Sequence, residues 1–309
     1  MLSRTAENLY WIARYLERAE STARLVEMGQ RMTMLPGGGD RAEWRSVIKT
    51  TGATAFFEKA GPVNEAAIVR GLVLDPENPS SVHACLALAR ANGKAIRTAL
   101  TQEMWEALND GWRRLEMMDE QTARRDLPAI LDWVKARAAT FRGATETGML
   151  RNSGYDFLRL GGFVERADTT LRLLNVKHFV LLPETDVVGG GRDYHQWTSV
   201  LHALSATRGY HHIYKGDYAP WKIADFLLLN SDFPRSVAFC YEQICLCLAE
   251  LDRRHDTQHA CHKTAREALE RLQGYKIGDI FDAGLHECVN AYIGVTARVS
   301  AEISTCYHF

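Results

Sequence analysis

Apolar residues in this chain of 309 residues recur at steps of three and four almost throughout. That is the period of one face of an α-helix. Strict apolar/polar alternation over five or more residues is hard to find. The 8 prolines fall between periodic segments rather than inside them. An all-α fold follows. The first segment is the clearest. Ser3 is an expected N-cap, and Leu9, Ile12, Leu16, Ala19, Ala23 and Val26 form one stripe on a helix over 3–34. Pro36-Gly37-Gly38-Gly39 stops it. Further helices are expected over 41–59, ended by Gly61-Pro62, and over 64–74. Another is expected over 80–108, with Asn78 capping and Pro79 in the first turn. More helix is expected after Gly111, to about Thr147.

The pattern then begins again. Leu9 to Glu27 reads LYWIARYLERAESTARLVE, and Phe157 to Asn175 reads FLRLGGFVERADTTLRLLN. Glu17-Arg18-Ala19-Glu20 aligns with Glu165-Arg166-Ala167-Asp168 at an offset of 148 residues, and the apolar stripe carries over as Phe157, Leu160, Val164, Ala167, Leu171 and Leu174. Ser153-x-x-Asp156 supplies a capping-box-like start, predicting an equivalent helix over 153–178. Downstream, Trp44-x-Ser46 matches Trp197-x-Ser199, and Pro79-x-Ser81-Val82-x-x-Cys85 matches Pro234-x-Ser236-Val237-x-x-Cys240. Gly37-Gly38-Gly39 matches Gly189-Gly190-Gly191 in position. Several matches in one order indicate a tandem duplication, with repeats at 1–150 and 151–309. No Ser/Gly/Pro-rich linker separates them. The expectation is a pseudo-twofold helical bundle in one compact body, its two first helices paired across the dyad.

Composition removes several classes of function. A formal net charge of −1 excludes a strongly basic nucleic-acid binder and an acidic disordered tail. No apolar run is long enough to span a membrane, and Met1 to Glu7 lacks the apolar stretch of a secretory signal. The 7 cysteines include no Cys-x-x-Cys. Cys240, Cys245 and Cys247 in an apolar run read as buried free thiols, and a cytoplasmic location is expected.

The candidate chemistry lies in the repeated Glu-Arg-Ala-Glu/Asp block. At about 100° per residue, with Leu16 at 0°, the stripe spans about −80° to +20°. Glu20 falls near 40°, Arg24 near 80° and Glu17 near 100°, while Arg18, near 200°, points away. Glu17, Glu20 and Arg24 thus form a strip at the core edge, repeated by Glu165, Asp168 and Arg172. Glu20–Arg24 and Asp168–Arg172 should pair within each helix, since partly buried charges are costly alone. Carboxylates of one copy can also meet arginines of the other. Three readings stay open: a structural ion-pair network, a ligand or catalytic site at the dyad, and a di-metal site. The last lacks the Glu-x-x-His of di-iron bundles, so no metal is expected. His255, His259 and His262 have the spacing of one helical face, among charged neighbours that favour a solvated surface. His211-His212, in Gly209-Tyr210-His211-His212-Ile213-Tyr214-Lys215, reads as a helix end of mixed burial, with a pocket or interface as the alternative. Neither glycine-rich segment is followed by Gly-Lys-Ser/Thr, and no catalytic or nucleotide-binding motif is recognisable, so no cofactor is expected.

The opening Met1-Leu2-Ser3-Arg4-x-Ala6-Glu7-Asn8-Leu9-Tyr10-Trp11-Ile12-x-Arg14-Tyr15-Leu16-Glu17-Arg18-Ala19-Glu20 resembles the start of bacterial alpha-E domain proteins. Phe157 to Gly161, Val164 to Asp168, Asp75 to Val82 and Pro234 to Val237 are similar to later blocks of that family. The chain departs from it at Ala91-Asn92-Gly93-Lys94, where a more charged run is expected, and at Gly161-Gly162, where the family often has Gly-Arg. The resemblance implies an all-helical domain encoded beside, or fused to, a circularly permuted ATP-grasp protein and a transglutaminase-like protein. It therefore implies a part in forming or modifying peptide or amide bonds, with nucleotide chemistry belonging to the partner. On that basis the expected role is an accessory protein of an ATP-grasp system. The alternatives are an enzyme using the Glu/Arg cluster for acid/base or acyl-transfer work, and a scaffold.

Overall fold

The computed structural model describes residues 3–34, 40–179, 190–256 and 259–309. Among these residues there are α-helices and no strand. In chain order the helices are α1 (Ser3–Thr33), α2 (Asp40–Thr50), α3 (Thr54–Ala60), α4 (Glu65–Ile68), α5 (Val82–Ala95), α6 (Gln102–Glu116), α7 (Glu120–Arg125) and α8 (Leu127–Gly148). They continue as α9 (Ser153–Phe179), α10 (Gly191–Ala203), α11 (Thr207–Tyr214), α12 (Pro220–Leu228), α13 (Val237–His255), α14 (Ala260–Gly274), α15 (Ile277–Ala283) and α16 (Leu285–Cys306). A π-helical segment, Val69–Leu74, continues α4, and a 3-10 turn, Arg97–Ala99, follows α5.

Helices α1 and α9 form the most extensive helix pair. Around them, α1 packs on α5 and α8, and α9 packs on α13 and α16. α6 bridges α5 and α8, and α14 bridges α13 and α16. α10 reaches across to α1, and α2 reaches across to α9. One hydrophobic cluster runs through both halves, from Leu9, Ile12 and Val26 on α1 to Leu160, Val164 and Leu171 on α9 and Ile303 on α16. The stripes read from the sequence are therefore buried.

The structure moves several expected boundaries. The helix expected over 41–59 is two, because Gly52 turns left-handed at φ +72° and ends α2. The helix expected over 80–108 is also two. Leu100 is extended, and Thr101 caps α6 by accepting from the Met104 N–H at 3.3 Å. The expected cap at Asn78 is at Ser81, whose Oγ accepts from the Ala84 N–H at 2.9 Å. Asn78 is engaged elsewhere, its amide donating to the Gly71 carbonyl at 2.7 Å. At the start of α9, Asn152 does the capping, accepting from the Gly154 N–H at 2.9 Å. Ser153 and Asp156 turn instead to His255 and Arg254. The first glycine-rich segment, Gly37 to Gly39, and Gly189 lie outside the described residues; Gly191 opens α10.

Candidate functional site

Each Glu-Arg block sits where α1 and α9 face each other, and the two exchange partners. Arg166 of α9 donates to Glu17 of α1 through Nε at 2.8 Å and Nη2 at 3.1 Å. Arg18 of α1 donates to Glu165 of α9 through Nε at 2.6 Å and Nη2 at 3.0 Å. Both pairs are bidentate, the geometry that a planar guanidinium and a carboxylate favour. Arg14 adds a 2.7 Å bond from Nε to Glu165. Arg18 points away from the Glu17–Glu20–Arg24 strip, as its helical angle predicts, and meets Glu165 because α1 is enclosed by α5, α8, α9 and α10, so that the side opposite its apolar stripe still faces protein.

The expected pairs within each helix also form. Arg24 donates to Glu20 at 3.0 and 2.7 Å, and Arg172 donates to Asp168 at 2.6 Å. Two further arginines arrive from distant segments. Arg142 of α8 shares Nη1 between Glu20 at 2.5 Å and Glu17 at 3.1 Å. Arg235, in the turn before α13, reaches Glu17 at 3.1 Å and Glu20 at 2.6 Å. Arg142 lies outside the repeated blocks, and Arg235 fills the variable position of the Pro-x-Ser-Val block, so the repeat marked neither side chain.

Burial decides the character of the site. Glu17, Glu20 and Glu165 expose 2%, 0% and 3% of their surface. Burial alone pushes a carboxyl pKa upward, but the guanidiniums outweigh it. Arg14 and Arg18 hold Glu165 down at about 2, and Arg166, Arg235 and Arg142 hold Glu17 lower still. Glu20 is also depressed, against both burial and its neighbour Glu17, by Arg235, Arg142 and Arg24. Asp168 moves the other way, raised by burial more than Arg172 lowers it. Glu17, Glu20 and Glu165 are thus buried carboxylates paired with arginines and held below the ordinary carboxyl range. None of the three glutamates keeps a protonation state near neutrality to exchange with a substrate.

The metal readings find no support. Among the described residues no three His, Cys, Asp or Glu side chains gather as a metal site. His255, His259 and His262 do not share a helical face: α13 ends at His255 and α14 begins at Ala260. His255 meets Ser153, and His262 meets the Tyr307 hydroxyl at 3.1 Å. The aromatic stretch splits as a helix end does. Tyr210 is buried beneath Tyr214, Tyr218 and Phe226, while His211, His212 and Trp221 are exposed. All seven cysteines are free, and Cys240 and Cys247 are buried. Among the described residues no helix is long and apolar enough to cross a membrane.

Known proteins match this chain over most of its length. Uncharacterized proteins of Mycobacterium bovis and Mycobacterium tuberculosis are 23% identical to it over 274 residues. The match covers 80% of this chain and 30% of each relative, so the chain spans less than a third of their length. No solved structure matches. The Alpha-E family, described as a predicted alpha-helical domain with a conserved ER motif, matches residues 1–308. With Glu17-Arg18 and Glu165-Arg166 at its centre, the chain belongs to the Alpha-E family.

Proposed function

We propose that this chain is an accessory, non-catalytic helical protein of an ATP-grasp-linked amide-forming system, built by tandem duplication of one helical unit. The observation that carries the non-catalytic reading is the pairing of the cluster: Glu17, Glu20 and Glu165 are buried and each bound by at least two arginines. A general acid or base must reach a substrate proton. The reciprocal bridges fix the register of α1 against α9 instead. The partner is the one that the family resemblance implies, a circularly permuted ATP-grasp protein, with a transglutaminase-like protein as a possible third member. In the mycobacterial relatives the matching segment is a minor part of a longer chain, as befits a module that works beside other polypeptide.

The duplication is supported by contacts that aligned residues of the two repeats make. Ser21 and Thr169, 148 residues apart, hydrogen-bond to each other at 3.0 Å, as residues beside a twofold axis must. Thr22 donates to the Ser80 carbonyl at 2.9 Å, and Thr170 donates to the Arg235 carbonyl at 2.7 Å. Repeats at 1–150 and 151–309 then share one core.

Co-expression with the ATP-grasp protein of the same source tests the role. Co-elution is expected, with ATP turnover in the presence of an amine acceptor by the pair and none by this chain alone. Trp221, 46% exposed in the same aromatic stretch as the exposed His211 and His212, is a suitable interface probe, and Trp221→Asp should weaken co-elution. Turnover of a peptide or amine by the purified chain would overturn the reading, as would failure of the two proteins to associate.

A further inference from the structure

The two halves of the cluster are not equivalent, and the difference opens a cavity. Counting 148 residues on from Arg14, which covers Glu165, leads to Gly162. A Cβ on Gly162 would meet nothing within 4 Å. Where a side chain would lie over Glu17 there is a pocket of about 250 Å³ between α1, α8 and α9. Its apolar wall comes from Leu16, Phe141, Leu158 and Phe163, and its polar wall from Glu17, Arg142, Glu146, Arg159 and Arg166.

Three guanidiniums against two carboxylates leave that wall with an excess of one positive charge. Behind it the imbalance continues, because Arg24 and Arg235 join Arg142 and Arg166 on only two glutamates, Glu17 and Glu20. Arg235 is so placed that burial, opposed by Glu17 and Glu20 but helped by Arg24 and Arg166, lowers its pKa. Arg142, 36% exposed in its side chain, spends only Nη1 on the glutamates. Arg159 has no carboxylate partner among the described residues. It donates to Gln243 and lies over the rings of Tyr155 and Phe163. Glu146 is already engaged by the Tyr155 hydroxyl and Arg151. Unmatched guanidinium donors beside aromatic walls fit a planar monoanion. Glu17 and Glu146 in the same wall disfavour a doubly charged phosphate.

We propose that this pocket, beneath Arg142 and Arg159 and left open by Gly162, binds a small molecule carrying one carboxylate on an apolar body. The site needs no partner protein, so it stands or falls separately from the ATP-grasp reading.

Calorimetric titration of the isolated chain tests it, with 3-phenylpropionate as probe and 3-phenylpropionamide and 3-phenylpropylamine as matched neutral and cationic controls. The carboxylate should bind at least about tenfold tighter than the amide, and the amine not at all. Gly162→Arg should abolish binding by filling the pocket with an internal guanidinium, while Gly162→Ala retains it. Arg159→Met should weaken carboxylate binding roughly tenfold and leave amide binding unchanged. Should Gly162→Arg fail to fold, Arg159→Met decides. No binding of the carboxylate, equal binding of carboxylate and amide, or unaltered affinity in Arg159→Met would overturn the assignment.

Discussion

Adjacent glycines on α9 do opposite jobs. A Cβ on Gly161 would lie 2.2 Å from the Tyr10 carbonyl oxygen of α1, and a backbone atom cannot swing aside. Gly161 therefore sets how closely α1 and α9 approach. Gly161→Ala should destabilise by about 1–3 kcal/mol through overpacking, despite a helix-propensity gain of about 1 kcal/mol. At Gly162 the same change meets open space and should stabilise by up to about 1 kcal/mol. Urea midpoints of the two variants check this, and equal shifts would contradict the close approach. The charged cluster allows a second test. Glu20→Gln leaves Arg24, Arg142 and Arg235 short of a counter-charge, whereas Arg24→Ala leaves Glu20 two guanidiniums. Glu20→Gln should cost about 3–5 kcal/mol, and Arg24→Ala less. The double variant should fall short of the sum by roughly 0.5–3 kcal/mol, and simple additivity would mean the pair is not coupled. Glu17, Glu20, Arg24 and their counterparts were legible because the block occurs twice. Arg142 and Arg235 were not, since they reach Glu17 from 125 and 218 residues away, Arg142 outside the repeated blocks and Arg235 at the variable position of one.

At the scale of elements, the apolar stripe located α1 and α9 within one or two residues but misjudged what surrounds them. On α1 the buried run from Ala19 to Val26 includes Glu20, Ser21, Thr22 and Arg24. A stripe reports one buried face, and a helix enclosed by four neighbours has several. Helix ends were less legible for a local reason: serine, asparagine and proline crowd the same turns, and only the path of the backbone chooses the cap. Asn152 is such a choice. Its Oδ1 receives the Gly154 N–H at 2.9 Å and the Tyr155 N–H at 3.4 Å. Asn152→Ala should cost about 1 kcal/mol. Ser153→Ala removes only a contact with the exposed His255 and should shift the denaturant midpoint less. The reverse order would restore Ser153 as the cap.

Across the whole molecule, the all-α class was legible from periodicity alone, and the pairing of α1 with α9 from the repeat. What the sequence did not carry is that the ion pairs lie in the interior, where they couple the stability of the fold to pH. Glu165 falls from an ordinary value of 4.5 to about 2 on folding, because Arg14 and Arg18 outweigh the penalty of burial. A carboxyl depressed by folding contributes stability that is complete above its unfolded value and fades as pH drops toward its folded one. For Glu165 that window runs from about pH 4.5 to pH 2 and is worth about 3 kcal/mol, of which about 2 kcal/mol is lost by pH 3. Glu17 and Glu20 are depressed as well and add to the same loss. Asp156 and Asp168 are raised by burial, so protonation favours their folded forms and opposes it in part. The protein should therefore hold its stability from pH 7 to about pH 5 and lose several kcal/mol by pH 3. Glu165→Gln gives this a specific signature. The variant should be less stable than the parent at pH 7, with Arg14 and Arg18 left without their carboxylate. Its deficit should then shrink by about 2 kcal/mol at pH 3, where the parent has lost the same contribution. Urea unfolding of both proteins at pH 7, 5 and 3 measures the difference directly, and a deficit that stays constant with pH would show that Glu165 does not enter the fold as an ionised partner of Arg14 and Arg18.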